Sequence, residues 1–117
     1  NIVGIKTVRT FIKNIENKYN KITLIVGISN DKDKKIMLSL ISHLVDRIIV
    51  CQAKYKGTPI NELKNIIKKY NNNVMEIKDA GDAIKIAIKE SKTNDIILIT
   101  GSLYLAGEAI EYFSKNN

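Results

Sequence analysis

The run Asp95-Ile96-Ile97-Leu98-Ile99-Thr100-Gly101-Ser102-Leu103-Tyr104-Leu105-Ala106-Gly107 constrains the fold of this chain more than any other stretch. It opens with an unbroken apolar segment, breaks at Thr100-Gly101-Ser102, and resumes with apolar residues at helical spacing. A strand covered by helices on both faces reads as a continuous apolar run, because neither face meets water. A glycine then permits a sharp turn, and a serine is a good residue to open a helix. In open α/β sheets, ligands sit beyond the carboxyl ends of such strands. Gly101, Ser102 and Tyr104 are therefore expected to form one wall of a site.

The remainder of the chain repeats this alternation. Ile5, Val8, Ile12, Ile15 and Tyr19 fall three and four apart and predict a first helix. Ile22 to Ile28 reads as a central strand, and Ser29 to Asp33 as a polar loop. Lys34 to Leu44 reads as a helix with Ile36, Met37, Leu40, Ile41 and Leu44 on one face. Arg47 to Cys51 is the next strand. Thr58-Pro59 predicts a helix start, with a hydroxyl cap followed by a proline whose missing N–H is not needed there. Leu63, Ile66, Ile67 and Tyr70 carry that helix, and Asn71-Asn72-Asn73 ends it. Val74 to Ile77 is a short strand. Asp79 is expected to cap a helix whose buried stripe is Ala83, Ile84, Ala87 and Ile88. Asp95 to Thr100 is the last strand, and Leu103, Ala106, Ile110 and Phe113 make a closing helix. Strict alternation with connections of this length predicts a mostly parallel sheet with helices on both faces, a Rossmann-like three-layer α/β domain.

The bulk properties narrow the function classes. A chain of 117 residues with 44% apolar content is one domain with a real core. It has no run of apolar residues long enough to span a bilayer. One cysteine cannot form an internal disulfide, which fits a cytoplasmic setting. The net charge of +7 invites a polyanion-binding reading, but the lysines are spread opposite the apolar stripes. There is no aromatic platform for stacking bases, and no nucleic-acid or membrane partner is expected.

Two loops carry the candidate chemistry. In Ser29 to Asp33, Asp33 can simply cap the following helix while Asp31 and Lys32 are solvated. Alternatively, the two carboxylates and the ammonium bind a charged small molecule, with Lys32 gripping a carboxylate or phosphate as a point charge. In Gly101 to Tyr104, a turn with a serine cap competes with a hydroxyl aimed into the same crevice. Gly107 is followed by Glu108 and Ala109, so no phosphate loop of the G-x-x-x-x-G-K-[ST] kind exists there. His43 lies off its apolar stripe, and a lone histidine makes a His-based metal site improbable. Cys51 reads as a small buried hydrophobe. Glu108 and Glu111 read as helix-face residues. No catalytic residue and no metal site are expected within the chain.

Three stretches, taken in order, resemble one family. Gly27-Ile28-Ser29-Asn30-Asp31-Lys32-Asp33 resembles the G-x-x-x-D-K-D loop of folylpolyglutamate synthase, a relative of the Mur peptide ligases. Asp46-Arg47-Ile48-Ile49-Val50 resembles the aspartate and apolar strand that come next there. Thr100-Gly101-Ser102-Leu103-Tyr104-Leu105-Ala106-Gly107-Glu108 resembles the closing T-G-S-L-Y-x-x-G-E segment. The chain departs from that pattern at Lys56-Gly57-Thr58-Pro59, where the family often carries an arginine before the proline-led helix.

The resemblance implies the carboxyl-terminal, Rossmann-like domain of such a ligase, spanning residues 1–117 without its central ATP-binding domain. Asn1 matches the last residue of a D-G-A-H-N segment, which implies that the domain's own first strand is not in this chain. The family joins L-glutamate to a folate, or to dihydropteroate in bifunctional members, using ATP and magnesium through an acyl phosphate. By this resemblance Lys32 and Ser102 hold the glutamate carboxylate, Asp31, Asp33 and Tyr104 shape the same wall, and Asn1 lies near the nucleotide. The isolated domain is expected to be inactive and to hold no cofactor, the central ATPase domain being its partner. The competing expectation is a stand-alone Rossmann-like module that binds nucleic acid or a phosphorylated ligand, since the fold alone permits it.

Overall fold

The computed structural model describes residues 2–30, 33–54, 56–101 and 113, with only the backbone for 2–5 and 101. The elements are α1 (Ile2–Ile15), β1 (Ile22–Gly27), α2 (Lys34–Ile41), a 3₁₀ turn over Ser42–Leu44, β2 (Arg47–Val50), α3 (Ile60–Ile67), β3 (Val74–Glu76), α4 (Ala80–Glu90) and β4 (Ile96–Gly101). The strands form one sheet in the order β3-β2-β1-β4, and each neighbouring pair is parallel. The alternation expected from the sequence is present, with strand and helix ends shifted by a few residues. The expected closing helix lies outside the described residues apart from Phe113.

Alternate residues of each strand feed two separate cores, as a pleat requires. Leu24 and Val26 of β1 and Ile48 and Val50 of β2 point to one face. There they meet Ile12 and Ile15 of α1, Leu38 and Ile41 of α2, and Leu63 and Ile67 of α3. Ile25 and Ile49 point to the other face, where Ala80, Ala83, Ile84 and Ala87 of α4 cover them together with Cys51. The alanine stripe lets α4 lie close to the sheet. Cys51 is buried, as the sequence implied, with its Sγ 3.7 Å from the Val26 carbonyl.

Several expectations fail, each for a local reason. The first helix stops at Ile15 rather than reaching Tyr19. The chain turns there, and the Asn20 N–H is anchored by the Asn94 carbonyl at 2.9 Å. Tyr70 falls beyond the end of α3 and is exposed, and Ile88 is half exposed on the outer side of α4. Thr58 does not cap α3. The N-cap is Pro59, with no side-chain capping bond. The Thr58 N–H instead donates to the Ile28 carbonyl at 2.8 Å, which draws the residue under the β1 loop. Its hydroxyl is left buried without a partner. The first turn of α3 is closed by the backbone, with the Pro59 carbonyl accepting from the Glu62 N–H at 3.1 Å. Asp79 does cap α4, accepting from the Asp82 N–H at 3.0 Å.

Candidate functional site

The faces on which the helices lie locate the site. From β1 the chain moves through α2 to β2, then through α3 to β3, with both helices on the first face. It then returns through α4, on the opposite face, to β4 on the far side of β1. Connections of one hand place their helices on opposite faces when they run in opposite directions along the sheet. The reversal falls between β1 and β4, and such a switch point opens a crevice at the carboxyl ends of its two strands. β1 and β4 run in register from Ile22 with Ile96 to Gly27 with Gly101. The loops that follow them therefore leave the same rim from paired residues.

The helices following β1, β2 and β3 run back against their strands, so their N-termini and partial positive charge face that same rim. Asp33 caps α2, its Oδ1 accepting from the Ile36 N–H at 3.4 Å, while its carbonyl accepts from the Met37 N–H at 3.2 Å. That is the capping reading of Asp33. Asn1, Asp31, Lys32, Ser102 and Tyr104 lie outside the described residues, as do Glu108 and Glu111.

The loop after β1 is fastened to the loop after β2. Ser29 and Gly57 form an antiparallel bridge. The Asn30 N–H donates to the Lys56 carbonyl at 2.7 Å, beside the bond from Thr58 to Ile28. Lys56 sits at φ 52, the left-handed region that side chains rarely adopt. At Gly57 a Cβ would collide with the Ala53 carbonyl oxygen, so only glycine fits. Side chains add a second fastening. The Lys34 Nζ donates to the Asn30 Oδ1 at 2.9 Å and pairs with the Glu62 Oε1 of α3 at 3.1 Å. Sequence reasoning missed both. The available signal was the Lys-Gly pair ahead of Thr58-Pro59, the point where the chain departs from the pattern it otherwise resembles.

Clefts elsewhere fit a structural role better. One of about 460 Å³ lies at the amino ends of the strands, where Lys21, Asp46, Arg47 and Glu90 are among its lining residues. Several of its polar groups are engaged with the protein itself. Arg47 pairs with Glu90 at 2.7 Å, and Asp46 Oδ2 accepts from the Ile22 N–H at 2.7 Å. A shallower cleft of about 420 Å³ lies at the carboxyl rim beside Gln52, Lys54, Lys78 and Asp79. His43 is exposed, as expected. Among the described residues, no three His, Cys, Asp or Glu side chains are grouped to hold a metal ion. No helix among them is long and apolar enough to cross a membrane. With no phosphate loop in the sequence either, these residues do not fit a magnesium-nucleotide on their own.

Comparison with known proteins agrees with this architecture. The chain is 31% identical over 107 residues to UDP-N-acetylmuramoyl-L-alanyl-D-glutamate--2,6-diaminopimelate ligase of Buchnera aphidicola, covering 86% of this chain and 21% of that protein. It is 30% identical over 97 residues to the ligase of the same name from Rickettsia bellii, covering 79% of this chain and 20% of that protein. The chain thus spans about a fifth of the length of these relatives. Among solved structures, E. coli FolC in complex with DHPP and ADP superposes with a TM-score of 0.88 at 18% identity, over 99% of this chain and 27% of that one. Folylpolyglutamate synthase from Thermotoga maritima gives 0.78 at 25% identity, over 100% of this chain and 26% of that one. A family model described as "Mur ligase, glutamate ligase domain" matches residues 1–103, and the chain belongs to that family.

Proposed function

We propose that this chain is the amino-acid-holding domain of an ATP-dependent amide-forming ligase of the folylpolyglutamate synthase kind, which joins L-glutamate to a folate or dihydropteroate. The observation that carries the reading is the in-register end of β1 and β4 at Gly27 and Gly101. It starts the Asp31-Lys32-Asp33 and Ser102-Leu103-Tyr104 segments from neighbouring points of the switch-point rim.

In this reading the Lys32 ammonium and the Ser102 hydroxyl hold the α-carboxylate of the incoming amino acid. The N-terminus of α2 adds favourable partial charge. Asp31, Asp33 and Tyr104 shape the wall, and Asn1 faces the nucleotide. ATP and magnesium are held by a central ATP-binding domain, against which this domain closes as lids do in many enzymes. The chain alone should then turn over no ATP. The work is cytoplasmic, on small soluble substrates.

The experiment is kinetic. In the ligase that carries this domain, Lys32→Ala should raise the glutamate KM far more than the folate KM. Equal effects on both would remove Lys32 from the amino-acid subsite. A second reading rests on the curated relatives, whose names specify 2,6-diaminopimelate as the added amino acid. The same rim would then hold that diamino acid, and turnover with L-glutamate against turnover with diaminopimelate separates the two.

A further inference from the structure

The cleft at the amino ends of the strands is tied together by its own polar groups, but those ties do not use all of them. Thr23 of β1 stands beside Arg47 of β2 in register. Each lies two residues before a residue that α4 covers, Ile25 and Ile49, so both face α4. Thr23 interrupts a strand that is otherwise apolar from Ile22 to Val26, and it is only 5% exposed. Among the described residues its hydroxyl makes no hydrogen bond. The partnerless hydroxyls of Ser42 and Thr58 are sealed from solvent, whereas that of Thr23 opens into the cleft it lines.

The charges around this hydroxyl favour a cation. Three carboxylates, those of Asp46, Glu90 and Asp95, line the cleft with two cations, Lys21 and Arg47. Arg47 and Glu90 neutralise each other at 2.7 Å, and Lys21 is exposed to water. Asp46 and Asp95 each commit one oxygen to a backbone N–H, that of Ile22 at 2.7 Å and that of Lys92 at 2.9 Å. The second oxygen of each has no hydrogen-bond partner among the described residues. α4 ends here at Glu90 and adds the partial negative charge of a helix C-terminus. A metal ion needs several ligands converging within about 2.5 Å. Among the described residues, no three His, Cys, Asp or Glu side chains converge in that way. Asp46 and Asp95 instead lead into β2 and β4 on either side of β1, so their backbones stand two strand spacings, about 10 Å, apart. Thr23 lies between them. An ion that carries its charge at two ends fits that spacing.

We propose that this cleft binds a short aliphatic diamine, one ammonium on Asp46 and the other on Asp95, with the Thr23 hydroxyl accepting a further N–H. The inference makes no use of the ligase reading, and its failure would leave that reading untouched. The test is a titration of the purified chain with putrescine, followed by NMR. The amide signals of Ile22, Thr23, Lys92 and Ile96 should shift together and saturate, with a Kd of about 0.1–1 mM. Asp46→Asn and Asp95→Asn keep an oxygen for the backbone N–H and remove the charge, so each should weaken binding about tenfold. Thr23→Val keeps the shape and should weaken it about three- to fivefold. Butylamine, with one ammonium, should bind about tenfold more weakly than putrescine to the wild-type chain. If a variant does not fold, that ratio decides alone. Signals unmoved at about ten times the expected Kd overturn the inference. So does putrescine binding that survives in Asp46→Asn and Asp95→Asn, or equal binding of the two amines. The same shifts produced by sodium or magnesium chloride at equal ionic strength would overturn it as well.

Discussion

Replacing Asn71 with alanine should cost more than its place in a surface asparagine run suggests. The Asn71 Nδ2 donates to the Ser42 carbonyl at 2.9 Å and to the Val45 carbonyl at 3.0 Å. Its Oδ1 accepts from the Asn73 N–H at 2.8 Å. One amide thus closes the turn after α2, fixes the approach to β2 and shapes the turn into β3. Ser42 and Val45 are buried, so carbonyls that lose their donor are not fully recovered by water. Three bonds at a net contribution of about 1 kcal/mol each give a loss of about 2–4 kcal/mol. For a domain of this size that corresponds to a fall in Tm of about 8–15 °C. Urea denaturation of the purified protein, followed by circular dichroism, measures it. Asn71→Asp keeps the acceptor for Asn73 but turns a carboxylate toward two carbonyl oxygens, so it should be at least as unstable as Asn71→Ala. An alanine variant within about 0.5 kcal/mol of wild type would refute the assignment. So would an aspartate variant that is more stable than the alanine one.

The two aspartate caps differ in geometry and should differ in worth. Asp79→Ala, which removes a 3.0 Å bond, should cost about 1 kcal/mol, and Asp33→Ala, which removes one of 3.4 Å, should cost less; the reverse order in urea titrations would contradict the distances. Thr58→Val replaces a buried hydroxyl that has no partner by a methyl of the same shape. It should leave stability unchanged or raise it by up to about 1 kcal/mol, and a loss larger than that would mean the hydroxyl is bonded.

Much of the architecture was legible because each strand announces itself. Leu24 to Val26 and Ile96 to Ile99 are unbroken apolar runs, the first fully buried in β1 and the second half-buried in β4, and Ala83, Ile84 and Ala87 keep helical spacing. Asp79 was legible for a chemical reason: an aspartate ahead of a periodic stripe satisfies orphan N–H groups. The failures are tertiary. Thr58 looks like a cap until the Ile28 carbonyl claims its N–H, a contact between residues 30 apart in the chain. Ile88 fits the periodicity of α4 but lies where the stripe has turned away from a sheet that needs only small residues there. Asn71 reads as a helix stop, and the two hydrogen bonds its side chain donates to the Ser42 and Val45 carbonyls have no local signal. The fastening of Asn30 to Lys56 and Lys34 to Glu62 joins three segments, and no spacing rule connects them.

The location of the candidate site follows from chirality before any motif is considered. Once β1 is flanked by β2 on one side and β4 on the other, connections of a single hand must put α2 and α4 on opposite faces. The direction of the connections therefore reverses between β1 and β4, and a crevice opens at their paired carboxyl ends whatever residues fill the loops. That crevice is a property of the scaffold, which is common to proteins named for adding diaminopimelate and to those named for building folylpolyglutamates. A scaffold shared by enzymes of different amino acids cannot choose between them. On the proposed function, the choice falls to the side chains that the loops after β1 and β4 bring to this crevice.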